Sequence, residues 1–209
     1  MTEREPVEGD LPEELQPDER RSAERYIPLL RAAKIVTRDG RELPCIMRDV
    51  SQTGLSVKLF GPIPESAGYT VVMPNGRTLD VGRVWLREDA AGFAFDHPAD
   101  VMELVRGAGP YPKRQIRIDV TWPGKLWSRG VEYEATVLNI SQSGALLQCS
   151  TRLALGQRMQ LTTPLTGAID VTLKWRSDEG FGVAFDRLFK FDELARLMVG
   201  PGRAGARPS

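Results

Sequence analysis

Two kinds of polar cluster recur along this chain, and both carry residue types suited to gripping an anionic ligand. Ahead of one strand-like run stands "DERRSAERY", with Arg20, Arg21 and Arg25, and ahead of another stands "YPKRQIRID", with Lys113, Arg114 and Arg117. A guanidinium fork binds phosphate oxygens in pairs and stacks on aromatic planes, so two or three of them on one segment could clamp a nucleotide by charge and by surface. An isolated basic run is otherwise a solvated face. The second cluster is "DVSQTG", which returns as "NISQSG" and sets Asp49, Ser51 and Gly54 at the same spacing as Asn139, Ser141 and Gly144. Alone, such a hexapeptide is a turn, because Asp, Asn and Ser bond nearby backbone and glycine accepts φ > 0. Beside arginines it gains a second use. A carboxylate or amide addresses the polar edge of a base, a serine bonds a base or a phosphate, and a glycine lets a ligand approach the backbone.

These clusters belong to a larger duplication. "RDVSQTGLSVKL" returns as "LNISQSGALLQC", and "VGRVWLREDAAGFAFDHP" returns as "VTLKWRSDEGFGVAFDRL", both 90 positions on, so that Trp85 answers Trp175, Gly92 answers Gly182 and Phe95 answers Phe185. Constant register over so long a stretch marks a repeated unit. Within each copy, "LSVKLF", "TVVMP" and "TLDVGRVWL", or "GVEYEATVLNI", "MQLTTPL" and "DVTLKW", alternate apolar and polar residues or carry β-branched runs between Pro and Gly turns. Helical patterns close each copy, at 98–109 and 189–200. The expected fold is mainly β: two tandem small antiparallel β-barrels, each followed by a short α-helix. The expected division is an acidic tail at 1–18, a first domain at 19–107, a linker at 108–112, a second domain at 113–199 and a tail at 200–209. Trp85, Phe93, Phe95, Trp175, Phe181 and Phe185 are expected in the barrel cores, outside any site.

Composition narrows the function classes. Of 209 residues, 28 are Lys or Arg and 28 are Asp or Glu, so no global basic field holds the chain to DNA or an anionic membrane, and anions must be bound by local clusters. The apolar runs are too short for a membrane span, and the acidic start is unlike a signal peptide, which predicts a cytoplasmic protein. Cys45 and Cys149 occupy unmatched positions and lack partners at metal-ligand spacing, so they read as reduced, packed thiols. His97, the single histidine, stands beside Pro98 as a surface turn residue. No nucleophile with a base, paired carboxylates, metal cluster or phosphate-cradling glycine loop recurs, so the expectation is a non-enzyme without cofactor or metal. The aromatics look internal, which also argues against stacking of single-stranded RNA.

An R-x-x-x-R cluster, then [DN]-x-S-x-x-G, then a strand ending in Trp and a G-x-x-F-type strand, is similar to the PilZ domain, a bacterial receptor module for cyclic di-GMP. In the first copy Arg21 and Arg25 match the family arginines, and Asp49, Ser51 and Gly54 match the second motif. In the second copy Asn139, Ser141 and Gly144 match, while Lys113 stands where the first arginine is expected, keeping the charge but losing the planar fork that neighbouring Arg114 could supply. Arg20, directly before the first motif arginine, resembles members that take a stacked ligand pair. The resemblance implies split-barrel domains, cyclic di-GMP as ligand rather than cofactor, arginines on an arm that folds over it, and a second-messenger role that changes the arrangement of the arm and the domains. It also implies an unidentified protein partner, with a homodimer as one arrangement. The alternative is a barrel pair that acts as an adaptor through protein contacts alone.

Overall fold

A computed structural model describes residues 27–106 and 115–199 of the chain, and within them two closed rings of six strands follow one another. The first contains β1 (Ile27–Thr37), β2 (Glu42–Val50), β3 (Gly54–Leu59), β4 (Tyr69–Val72), β5 (Thr78–Leu86) and β6 (Ala90–Phe95), and is followed by helix α1 (Val101–Arg106). The second contains β7 (Ile118–Ser128), β8 (Val131–Ile140), β9 (Gly144–Gln148), β10 (Arg158–Thr163), β11 (Gly167–Ser177) and β12 (Gly180–Phe185), followed by α2 (Phe191–Val199). Ring order is β1-β2-β3-β6-β5-β4 in one and β7-β8-β9-β12-β11-β10 in the other, antiparallel throughout. The expected duplication and the expected barrel-then-helix plan are both present.

Alternation explains the walls. Along β7, Trp122, Leu126 and Ser128 turn inward and are buried while Lys125 and Trp127 face out, and along β3 Leu55, Val57 and Leu59 fill the other interior. Each ring therefore encloses its own core, centred on Ile35, Met47, Val57 and Val71 in the first and on Leu126, Leu147, Leu161 and Leu173 in the second. Each helix adds a leucine to the core of the ring before it. α1 starts later than the pattern at 98–109 suggests: Asp100 caps it by accepting from the Glu103 N–H at 3.1 Å, and it buries Leu104. α2 buries Leu194 in the second core, with Leu197 and Met198 packed against it.

The duplication extends to the irregularities. Both rings carry a β-bulge in the first strand pair (Pro28/Arg31 and Asp119/Trp122), one in the second (Met47/Asp49 and Val137/Asn139) and one between the fifth and sixth strands (Arg83/Trp85 and Leu173/Trp175). A bulge adds one residue to one strand and re-aims the side chains beyond it. The last pair of bulges overturns an expectation: Trp85 and Trp175 are 39% and 41% exposed, on the outside of the barrels and not in their cores. Phe93, Phe181 and Phe185 are buried as expected, and Phe95 packs half-buried against the first core. Cys45 lies in the first core, where burial pushes its thiol well above the ordinary range, and Cys149 sits half-buried beside the second. His97 is exposed in the bend after β6. No described helix is long and apolar enough to cross a membrane, and no described cluster of His, Cys, Asp and Glu has metal-ligand geometry.

Candidate ligand grooves

The repeated hexapeptide forms the corner between β2 and β3, and between β8 and β9. Ser51 is 2% exposed, and its hydroxyl is spent inside the turn: Oγ accepts from the Thr53 and Gly54 N–H groups at 3.3 and 3.2 Å and donates to the Gly54 carbonyl at 3.3 Å, while its own N–H reaches that carbonyl at 2.8 Å. Ser141, 6% exposed, repeats the pattern, its Oγ donating to the Gly144 carbonyl at 3.2 Å and its N–H at 2.8 Å. The serines thus shape the corner. The glycines serve the fold as well, for a reason that spacing does not reveal. A methyl at Gly54 would lie 2.3 Å from the Phe93 carbonyl oxygen on β6, and one at Gly144 would lie 2.2 Å from that of Val183 on β12. Neighbouring backbone, rather than a ligand, occupies the space that each glycine leaves.

Asp49 and Asn139 are half-exposed on the wall and open to the space outside it. Asp49 is oriented by Ser56 across the strand pair, whose hydroxyl donates to Oδ2 at 2.9 Å, whereas Asn139 stands opposite Leu146. Each corner borders a groove. The first groove, about 490 Å³, is lined by Arg48, Asp49, Ser51 and Gly54 together with Trp85 and Arg87. The second, about 170 Å³, is lined by Arg117, Asn139, Ser141 and Gly144 together with Lys174 and Trp175.

The tryptophans are the residues that alternation misplaces. The bulge residue before each, Val84 or Lys174, has no register partner, so the indole that comes next is thrown outward onto the sixth strand. There it lies flat on bare backbone. A methyl at Gly92 would sit 2.0 Å from Trp85 Nε1, and one at Gly182 would sit 2.0 Å from Trp175 Cε2. The guanidinium of Arg87 stands 5.2 Å from the Trp85 ring. Tryptophan and glycine recurring together at one offset are the available signal, since an indole needs a residue without Cβ only where it packs on strand backbone.

Of the sequence-expected site residues, the structure gathers Asp49, Ser51 and Gly54 at one groove and Arg117, Asn139, Ser141 and Gly144 at the other. Arg20, Arg21, Arg25, Lys113 and Arg114 lie outside the described residues, as do the expected tails and linker. Arg48, Arg87 and Lys174 join the grooves although their spacing does not single them out.

The family model for the PilZ domain matches residues 112–198, the span of the second barrel and its helix. Among solved structures, the chain is similar to PlzA of Borreliella burgdorferi in complex with c-di-GMP (11% identity, 85% of this chain and 93% of that one, TM-score 0.33). It is similar also to the Bacillus subtilis inhibitor of motility MotI/DgrA (10%, 82% and 94%, 0.35) and to YcgR of Escherichia coli in complex with c-di-GMP (12%, 77% and 76%, 0.30). These likenesses are too distant to transfer a function residue by residue. No curated protein matches the chain.

Proposed function

We infer, from a chain whose second barrel is a PilZ domain and whose first repeats its ring order and bulges, that it is a non-enzymatic receptor for cyclic di-GMP with one groove per barrel. The observation that carries this reading is convergence. In the second barrel Arg117, from the basic run ahead of β7, lines the same groove as Asn139 and Trp175, so a guanidinium, a base-reading amide and a stacking plane face one space. A cyclic dinucleotide presents the matching features: two phosphates, two guanine edges and two faces. The guanidinium pairs with phosphate oxygens, the amide with the N–H edge of guanine, and the indole with its face. Arg20, Arg21 and Arg25 serve the first groove, and Lys113 and Arg114 join Arg117 at the second. Closing these arms costs ordering entropy, which the ionic and stacking contacts must exceed, and micromolar binding corresponds to about −8 kcal/mol net.

Ligand then acts by preferring one arrangement of arms and barrels over another, and a protein partner reads the difference. The working division is a receptor unit at 19–107 and another at 113–199, in a cytoplasmic protein. Calorimetric titration with cyclic di-GMP tests the assignment. The Arg21→Ala and Arg25→Ala variants should each lose about 1.5 to 3 kcal/mol of first-site affinity, roughly ten- to a hundred-fold, because a charged hydrogen bond is removed. Unchanged binding in the double variant would reject the arginine roles. Absence of heat from the wild type at high micromolar ligand would favour the adaptor.

A further inference from the structure

The two barrels touch where the second groove begins, and an ion pair of the first barrel holds that point. Lys34 on β1 and Glu42 on β2 pair at 2.6 Å, with side chains only 16% and 12% exposed. Each reaches across with what remains of its bonding capacity. Lys34 Nζ donates to the Arg117 carbonyl at 3.0 Å, and Glu42 Oε2 accepts the Asp119 N–H at 2.8 Å. The backbone on both sides of Ile118 is therefore fixed by side chains of the other barrel. Arg117 itself lines the second groove.

The opposite jaw of that groove reaches the same partner by another route. Gln142, in the corner that carries Asn139 and Ser141, bonds Phe189 twice: its carbonyl accepts the Phe189 N–H at 2.9 Å and its amide donates to the Phe189 carbonyl at 3.1 Å. Phe189 leads directly into α2, which packs on β2 of the first barrel, with Phe191 edge-on to Phe60 at 6.1 Å. Pro44, on the outward face of β2, is buried. Both sides of the groove are thus tied to the first barrel.

We propose that Lys34 and Glu42 are positioning residues for the second groove, fixing the Arg117 backbone so that its guanidinium meets an anionic ligand from an anchored base. This rests on the receptor function proposed above and goes beyond it by making the first barrel a structural part of the second site. A side chain projecting from fixed backbone loses less freedom on binding than one from a loose segment, and the difference appears as affinity. The ion pair touches no ligand. Its partial burial makes it intolerant of losing one member, because the remaining charge would be left without its partner.

The experiment uses the full chain with Arg21→Ala and Arg25→Ala in place, so that the second groove reports alone, and titrates cyclic di-GMP by calorimetry. Lys34→Met, which keeps the stem and removes the donor, and Glu42→Ala should each weaken binding by roughly three- to thirty-fold, the range of substitutions that act through an intermediary. Lys34→Arg, which keeps both the charge and a donor for the Arg117 carbonyl, should stay within about three-fold of the parent, whereas Glu42→Gln, which keeps an acceptor for the Asp119 N–H but removes the charge facing Lys34, should weaken binding less than Glu42→Ala does. Amide exchange at Asp119 should quicken in Glu42→Ala and not in Glu42→Gln, a readout that needs no ligand. Should Glu42→Ala fail to fold, Lys34→Met carries the test. Parent-like affinity in Lys34→Met and Glu42→Ala overturns the positioning role and leaves the receptor assignment standing. A parent that binds nothing while the wild type binds shows the second groove to be no ligand site and overturns the proposal alone. A wild type that binds nothing overturns the receptor assignment and this proposal with it.

Discussion

The two barrels share ring order and three bulges, yet their grooves differ in what they offer a ligand. The first sets a carboxylate, Asp49, oriented by Ser56, beside Arg48 and Arg87 in a space of about 490 Å³. The second sets an uncharged amide, Asn139, beside Arg117 and Lys174 in about 170 Å³. Ligand sites for small molecules commonly occupy about 300 to 1,000 Å³, a range that the first groove falls within and the second falls short of. The chemistry diverges in the same sense. A carboxylate repels phosphates and welcomes the N–H edge of a base, whereas two cations without a carboxylate favour anionic groups. Duplication preserved the backbone device and left the lining free to vary.

The comparison can be broken most severely at the glycines. Gly54→Ala and Gly144→Ala each force a methyl into a facing carbonyl, and each should cost at least about 1 to 3 kcal/mol of stability, the usual toll of overpacking, because strand backbone has to move. Thermal melts compare them. If the barrels form one cooperative unit, either substitution lowers a single transition; two separated transitions would show that the contacts through α2 and Lys34 do not couple them.

Next come the indoles. Trp85→Ala and Trp175→Ala should each remove about 1 to 3 kcal/mol of cyclic di-GMP affinity at their own groove, the usual worth of a base stacked on an aromatic ring. Calorimetry in backgrounds that silence one groove or the other separates the two. An effect at Trp175 alone would reverse the ranking that groove size suggests.

The smallest effects belong to the wall residue. Asp49→Asn should weaken the first site by about 0.5 to 1.5 kcal/mol, as a charged acceptor becomes neutral. Asn139→Asp should weaken the second by a similar amount, since it places a carboxylate among cations meant for phosphate. Losses of matching size would show that each groove is tuned to its own wall residue, and a gain at either would contradict that. Titrations at rising ionic strength supply a cross-check, because binding held chiefly by cations falls faster with salt.

Much of the architecture was legible in the chain, since period-2 alternation between Pro and Gly turns dictates strands, and the fixed 90-residue offset dictates two units. The corner hexapeptide was equally visible as a motif, but not its division of labour. Ser51 and Gly54 look available for a ligand on paper, yet hydrogen bonds inside the turn consume one and the backbone of β6 abuts the other, relations across strands that spacing cannot express. Trp85 and Trp175 are misplaced by pattern for a related reason. Counting alternate residues assumes an unbroken pleat, and one extra residue at Val84 or Lys174 inverts the count. Arg48 and Arg87 resemble ordinary surface charges because nothing in their spacing announces a shared groove.

Ring closure also bears on how such a protein meets its partners. With β1 bonded to β4 over Lys34–Thr37 and β7 to β10 over Lys125–Trp127, no strand edge is open along those stretches for an extended peptide to extend the sheet. There, association is left to side chains on the outer walls, surfaces that evolution can repaint residue by residue without disturbing a single rung of the ladders beneath.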